Sequence, residues 1–134
     1  MKSTTVLFSL SILFALFFSC KQKTENDSNA LTGKTTIQVI QFHSTHRCVT
    51  CNSIEKLTLE TLKSYSNISF LLINVDDSKN EKIAEEFEAT GTSLFLYNSQ
   101  TGKKKDLTDF AFINAKNKPE EFKSGLKKEI EQFN

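Results

Sequence analysis

Residues 37–65 read IQVIQFHSTHRCVTCNSIEKLTLETLKSY, with a Cys-Val-Thr-Cys box at residues 48–51. The β-rich run Ile37 to Phe42 is followed by five polar or basic residues, then by the two cysteines, then by a segment with helical spacing. This order predicts a strand, an active turn and a helix. A helix that begins near Cys48 sets that sulfur over the unpaired N–H groups and positive dipole end of its first turn, which favours thiolate over thiol. Arg47, beside it, pushes the same way. Cys51 falls three residues on and one turn deeper, within reach of a mixed disulfide at Cys48 but more shielded from solvent. The expected roles are attack by Cys48 and resolution by Cys51.

Outward from the box, Ile37, Val39 and Ile40 with Phe42 make a first strand that is apolar at nearly every second position and is expected to be buried on both faces. In the helix, Cys51, Ile54, Thr58, Leu62 and Tyr65 share one stripe, while Glu55, Lys56, Glu60 and Lys63 face water. The continuous apolar run Ile68 to Val75 reads as a central parallel strand. Asp76, Asp77 and Ser78 offer N-caps to a second helix through Phe87, which Gly91 breaks. Ser93 to Tyr97 gives a third strand, and Asn98 to Gly102 a hairpin turn. Lys103 to Leu107 then returns as an edge strand whose lysines discourage edge pairing. Pro119 suits the first turn of a last helix, with Phe122, Leu126, Ile130 and Phe133 at helical spacing. The expected order is β-α-β-α-β-β-α, an α/β fold with a mixed sheet of about four strands and about three helices.

Residues 1–20, MKSTTVLFSLSILFALFFSC, give a short region with Lys2, an apolar run from Val6 to Phe18, and Ser19-Cys20. The run is short for a membrane span and reads as a secretory signal. The small residue before a cysteine resembles the lipobox of bacterial lipoproteins, although Phe17 and Phe18 are bulky for that motif. The resemblance implies cleavage before Cys20 and a diacylglyceryl group on its sulfur, anchoring the chain to a membrane. Three cysteines leave one odd after Cys48 pairs with Cys51, and acylation of Cys20 accounts for it. Residues 20–35, polar and without periodicity, read as a flexible tether, so the expected layout is signal 1–19, tether 20–35 and domain 36–134.

Removing Lys2 with the signal leaves 16 basic against 16 acidic residues, a neutral balance that gives no electrostatic footprint for nucleic acid. The Lys103-Lys104-Lys105 run has no aromatic interleaving and reads as a solvated edge. The 12 phenylalanines belong to the core and the signal, Asp76 and Asp77 to helix caps, and no glycine-rich phosphate loop is present.

A Cys-x-x-Cys at the first strand-to-helix junction of this element order resembles the thioredoxin fold, over about Thr36 to Phe133. Within the thioredoxin-like proteins, FHSTHRCVTCNSIEKLT is most similar to the small bacterial proteins named ArsF, a family described as a subunit of a nitrophenyl compound nitroreductase. The resemblance implies a redox dithiol at Cys48 and Cys51, no cofactor beyond that disulfide, a protein thiol or disulfide partner, and a nitroreductase-type system as a further partner. It also marks departures. Arg47 replaces the tryptophan before the first cysteine, Val49-Thr50 replaces Gly-Pro, and Ser93 stands where a cis-proline precedes the third strand. Ser93 is thereby placed to supply a hydroxyl facing the sulfurs.

A second reading is a metal site. His43, His46, Cys48 and Cys51 lie within nine residues and are all ligand types suited to tetrahedral zinc or to copper. Against it, His43 ends a strand while the cysteines start a helix. His46 alone has an intermediate role, holding or deprotonating a sulfur. A purely structural disulfide is a poor alternative, because closing so short a loop removes little unfolded-state entropy. The resulting expectation is a lipid-anchored thiol-disulfide oxidoreductase of a Gram-negative envelope. Its class-different rival is a non-enzymatic module that binds metal or docks a redox partner.

Overall fold

The computed structural model describes residues 36–133. The expected signal, the lipidation site Cys20 and the tether lie outside the described residues. Strand β1, Ile37–His43, is central because both of its faces find cover: Val39, Ile40, Gln41 and Phe42 are buried in succession. Helix α1, Val49–Leu62, follows, then β2, Ile68–Asn74, and a 3₁₀ turn, Ser78–Asn80, leading into α2, Glu81–Glu86. Strands β3, Ser93–Asn98, and β4, Lys104–Asp106, form a hairpin before α3, Thr108–Ala115, and α4, Pro119–Gln132. The sheet order is β2-β1-β3-β4. β1 runs parallel to β2 and antiparallel to β3, in a register that sets Phe42 opposite both Ile73 and Ser93.

Each face of the sheet has its own apolar layer. On one side Val39, Leu94 and Leu96 meet Ile54 and Leu57 of α1, Ala111 of α3, and Phe122, Leu126 and Ile130 of α4. On the other, Ile40, Phe42, Ile73 and Phe95 meet Ala84 and Phe87 of α2. The rings of Phe42, Phe87 and Phe95 lie 5.2–5.9 Å apart in tilted or edge-on pairs.

Several boundaries differ from the sequence expectation. β2 is parallel to β1 but forms the sheet edge rather than its centre, and Leu71 and Leu72 are 36% and 39% exposed. An apolar run signals a strand without saying how many neighbours it has. Tyr65 lies beyond the end of α1, and Leu57 and Thr61 join its inward stripe. Helix α3 adds a fourth helix among the described residues; its apolar residues occur without a helical period and it lacks a side-chain cap. The stretch after β2 divides into the 3₁₀ turn, where Asp77 accepts the Lys79 N–H, and the short α2.

Helix α2 is ended by Glu88 rather than by Gly91. Glu88 has φ +53°, its N–H bonds the Glu85 carbonyl at 3.0 Å, and the Ala89 N–H bonds the Ala84 carbonyl at 2.8 Å. This is the Schellman closure, with Ala84 and Ala89 both buried behind it. Glycine is the residue that adopts this conformation without penalty. Gly102, φ +72°, meets that requirement in the β3–β4 turn. The lysines at 103–105 are exposed, as expected of a solvated edge, and their ammonium groups also find partners. Lys103 reaches the Phe133 carbonyl, Lys104 the Glu86 carbonyl and the Phe87 ring, and Lys105 the Glu129 carboxylate.

On α4, Pro119 occupies the first turn as expected, and Gly125 allows a close approach. A Cβ at Gly125 would lie 2.5 Å from the Phe110 ring, which stacks on Phe122 at 5.5 Å. Two substitutions test these backbone requirements by denaturant unfolding. Gly125→Ala gains about 1 kcal/mol of helix propensity, yet overpacking of about 1–3 kcal/mol outweighs it and the variant unfolds at lower denaturant. In a Phe110→Ala background the same change becomes stabilising. Glu88→Gly relieves the left-handed strain and stabilises by about 0.5–1 kcal/mol, whereas Glu88→Ala brings no such gain.

Candidate active site

The loop between β1 and α1 is held by the end of β2. The Thr45 N–H donates to Asp76 Oδ2 at 2.7 Å, Asn74 Nδ2 donates to Thr45 Oγ1 at 3.1 Å, and the Val75 N–H bonds the His43 carbonyl. The same Thr45 N–H and hydroxyl hold the Asp76 carboxyl below its usual pKa, with smaller help from the charges of His46 and His43. This pinned loop delivers Cys48 to the start of α1.

Cys48 is the N-cap of that helix. Its backbone is extended, φ −81° and ψ 166°, and its Sγ accepts the Cys51 N–H at 3.2 Å, as the oxygen of a serine cap would. Val49 carries no acid, Thr50 none, and the first turn is free of negative charge. The thiol is exposed, and its pKa is lowered. The largest cause is the nearby Cys51 side chain, then the Cys51 N–H; slight desolvation opposes them, and the N–H groups of Thr50 and Cys48 add to the lowering. Both cysteines are free thiols.

Cys51 lies on the inward side of α1 and is 4% exposed. Two contacts fix it. Its Sγ lies 2.9 Å from Thr92 Oγ1, and its carbonyl accepts from Gln41 Nε2 at 3.0 Å. Gln41 is fully buried in the middle of β1, and its Oε1 has no hydrogen-bond partner among the described residues. An amide spanning strand and helix therefore sits directly below the second cysteine.

The other residues singled out in the sequence take different positions. Arg47 forms an ion pair with Glu55 of α1, N to O 2.5 Å, so its charge is matched by that carboxylate. His43 Nδ1 donates to the Ser44 carbonyl at 2.9 Å, and His46 is exposed. Among the described residues no three His, Cys, Asp or Glu side chains converge as a metal-holding group, so His43, His46, Cys48 and Cys51 are not brought together as one ligand set. Ser93 Oγ turns to the Gly91 carbonyl at 3.4 Å, and the hydroxyl that reaches a sulfur belongs to its neighbour Thr92. Sequence reading passed over Thr92 and Gln41. For Gln41 the available signal was a polar residue between Ile40 and Phe42 of a strand expected to be buried on both faces; alternation about Ser93 left Thr92 undetermined.

No protein-family model and no curated protein matches the chain. Among solved structures it is similar to thioredoxin O2 from Arabidopsis thaliana in its oxidized state, at 16% identity and TM-score 0.51 over 70% of this chain and 75% of that one. It is also similar to mitochondrial thioredoxin 3 from Saccharomyces cerevisiae, at 23% identity and TM-score 0.47 over 71% and 80%, and to a Trichomonas vaginalis thioredoxin, at 18% and 0.48 over 73% and 79%. With the sheet order and the helices on both its faces, the likeness to the Arabidopsis protein makes the fold thioredoxin-like.

Proposed function

We propose that this protein is a thiol-disulfide oxidoreductase acting on protein partners, with Cys48 and Cys51 as its redox pair. The observation that carries the reading is the capping of α1 by the Cys48 sulfur: one exposed sulfur is stabilised as thiolate while its partner waits buried one turn away. The Cys48 thiolate attacks one sulfur of a partner disulfide, forming a mixed disulfide and releasing the partner's other sulfur as thiolate. Cys51 loses its proton and attacks the Cys48 sulfur. The bond to the partner breaks, and Cys48–Cys51 becomes the disulfide while the partner leaves fully reduced. The electron pair resides on the cysteines themselves, so the exchange requires no further cofactor.

The reading extends to an exported, lipid-anchored protein of the bacterial envelope, supported by the apolar run before Ser19-Cys20 and by the odd cysteine count. It extends further to an accessory role in a nitroreductase-type system, supported by the resemblance of FHSTHRCVTCNSIEKLT to the ArsF proteins. Arg47 remains a candidate auxiliary group through its position beside Cys48, acting as a pair with Glu55.

Two measurements test the chemistry. Equilibrated in graded glutathione buffers and thiol-trapped, the piece from residue 21 onward should pass through one two-electron transition at Cys48 and Cys51, and Cys51→Ser should retain a mixed disulfide on Cys48. A pair that stays reduced across the range, with no adduct in Cys51→Ser, would remove the oxidoreductase reading. The second is pH dependence. Alkylation of Cys48 in Cys51→Ser, whose hydroxyl keeps a donor, should rise with pH at a lower midpoint than in the urea-unfolded chain. Because the folded value is the lower one, the reduced protein gains stability as pH rises from the folded to the unfolded thiol pKa, and loses it as pH falls. Coincident midpoints would show that the cap does not hold the thiolate.

A further inference from the structure

The resolving step needs a thiolate at Cys51, a sulfur that is 4% exposed. A buried anion is costly unless a donor meets it. No ionisable side chain other than the cysteines themselves hydrogen-bonds to Cys51 among the described residues; its side-chain partners are the Thr92 hydroxyl on the sulfur and the Gln41 amide on the carbonyl. Gln41 Nε2 is engaged by that carbonyl, so the amide braces the first turn of α1 against β1 and leaves the sulfur to Thr92. Thr92 is only half-buried and borders an open depression with Glu88, Gly91, Ser93 and Lys104.

Resting on the oxidoreductase reading, we infer that Thr92 is a catalytic residue of the resolving step, its Oγ1–H donating to the Cys51 sulfur as that sulfur becomes the attacking thiolate. In the reduced pair the hydroxyl either accepts from the Cys51 thiol or donates to it, since a hydroxyl rotor serves both ways. When a partner is joined to Cys48, the Cys51 proton passes to water and the Thr92 hydroxyl turns to donate to the anion that remains. The Cys51 lone pair then forms the bond to the Cys48 sulfur, and the pair of the Cys48–partner bond departs on the partner's sulfur, which takes up a proton from water. Atoms and charge balance: one thiol and one mixed disulfide become one internal disulfide and one partner thiol. Ser93, one residue on, cannot substitute, because its hydroxyl is turned to the Gly91 carbonyl.

The test follows the lifetime of a Cys48–glutathione adduct by acid quench and mass spectrometry, after mixing the reduced protein with glutathione disulfide. Thr92→Val is close in shape and removes only the hydroxyl, and Thr92→Ser restores it. The adduct on Thr92→Val should persist about ten- to a hundredfold longer than on the unaltered protein, the range for losing a hydrogen bond to a charged group, and Thr92→Ser should return it to within a few-fold. An unchanged lifetime in Thr92→Val overturns the assignment, as does a slow Thr92→Ser, which would point to packing alone. If even Cys51→Ser forms no adduct at Cys48, the oxidoreductase reading falls as well. That outcome is distinct from an adduct that forms and resolves at the ordinary rate without the hydroxyl.

Discussion

One hydrogen bond organises the chemistry of this fold: the Cys51 N–H donated to the Cys48 sulfur at 3.2 Å. It does the work of a helix cap, since the first N–H groups of α1 have no partner within the helix and a side-chain acceptor must meet them. Placing sulfur there makes the structural need and the chemical need the same interaction. Loss of negative charge at Cys48 weakens the cap, and loss of the cap removes what favours the charge. Around this bond the remaining constraints serve position. Asp76 and Asn74 hold the loop from one side, Gln41 holds the first turn from below, and the two apolar layers fix the sheet against which both act.

The division of labour between the sulfurs follows from depth. Cys48 caps the helix from its exposed end, while Cys51 points into the layer between α1 and β1. In the proposed exchange a partner protein reaches only the first, and the second acts on what the first has captured. Arg47 contributes less than its position in sequence suggests, because it lies just outside α1 and its guanidinium is paired with Glu55 within that helix. The causes that lower the Cys48 pKa are accordingly the neighbouring cysteine and backbone N–H groups.

Much of this was legible before any coordinates. A Cys-x-x-Cys between a β-rich run and a helical stripe locates the site, Pro119 marks the start of α4, and the double-sided burial of β1 follows from its apolar density. What was not legible has physical reasons. Ile68 to Val75 is apolar enough for a central strand, but whether a strand has one neighbour or two is decided by distant segments, and among the described residues it has one. TDFAFINA carries its apolar residues all round, so α3 announces no period and leaves Phe112 and Ile113 exposed. Glu88 ends α2 in a conformation that glycine would signal and glutamate conceals.

The choice between Thr92 and Ser93 shows the same limit at atomic scale. Thr92 precedes β3 and Ser93 opens it, both carry hydroxyls, and successive side chains of an extended segment point to opposite sides. Which one meets the sulfur depends on the phase of the segment, and that phase is set by pairing with β1, where Phe42 stands opposite Ser93. Phe42 packs in the layer under α2, whereas Cys51 belongs to α1, which covers the opposite face of the sheet, where Val39 meets Ile54. Ser93 is held in register with Phe42, and it is the residue before it that is carried to the α1 side. The identity of the hydroxyl at the sulfur is thus fixed by strand register, a property of two segments some fifty residues apart, and no reading of residues 90–93 alone contains it.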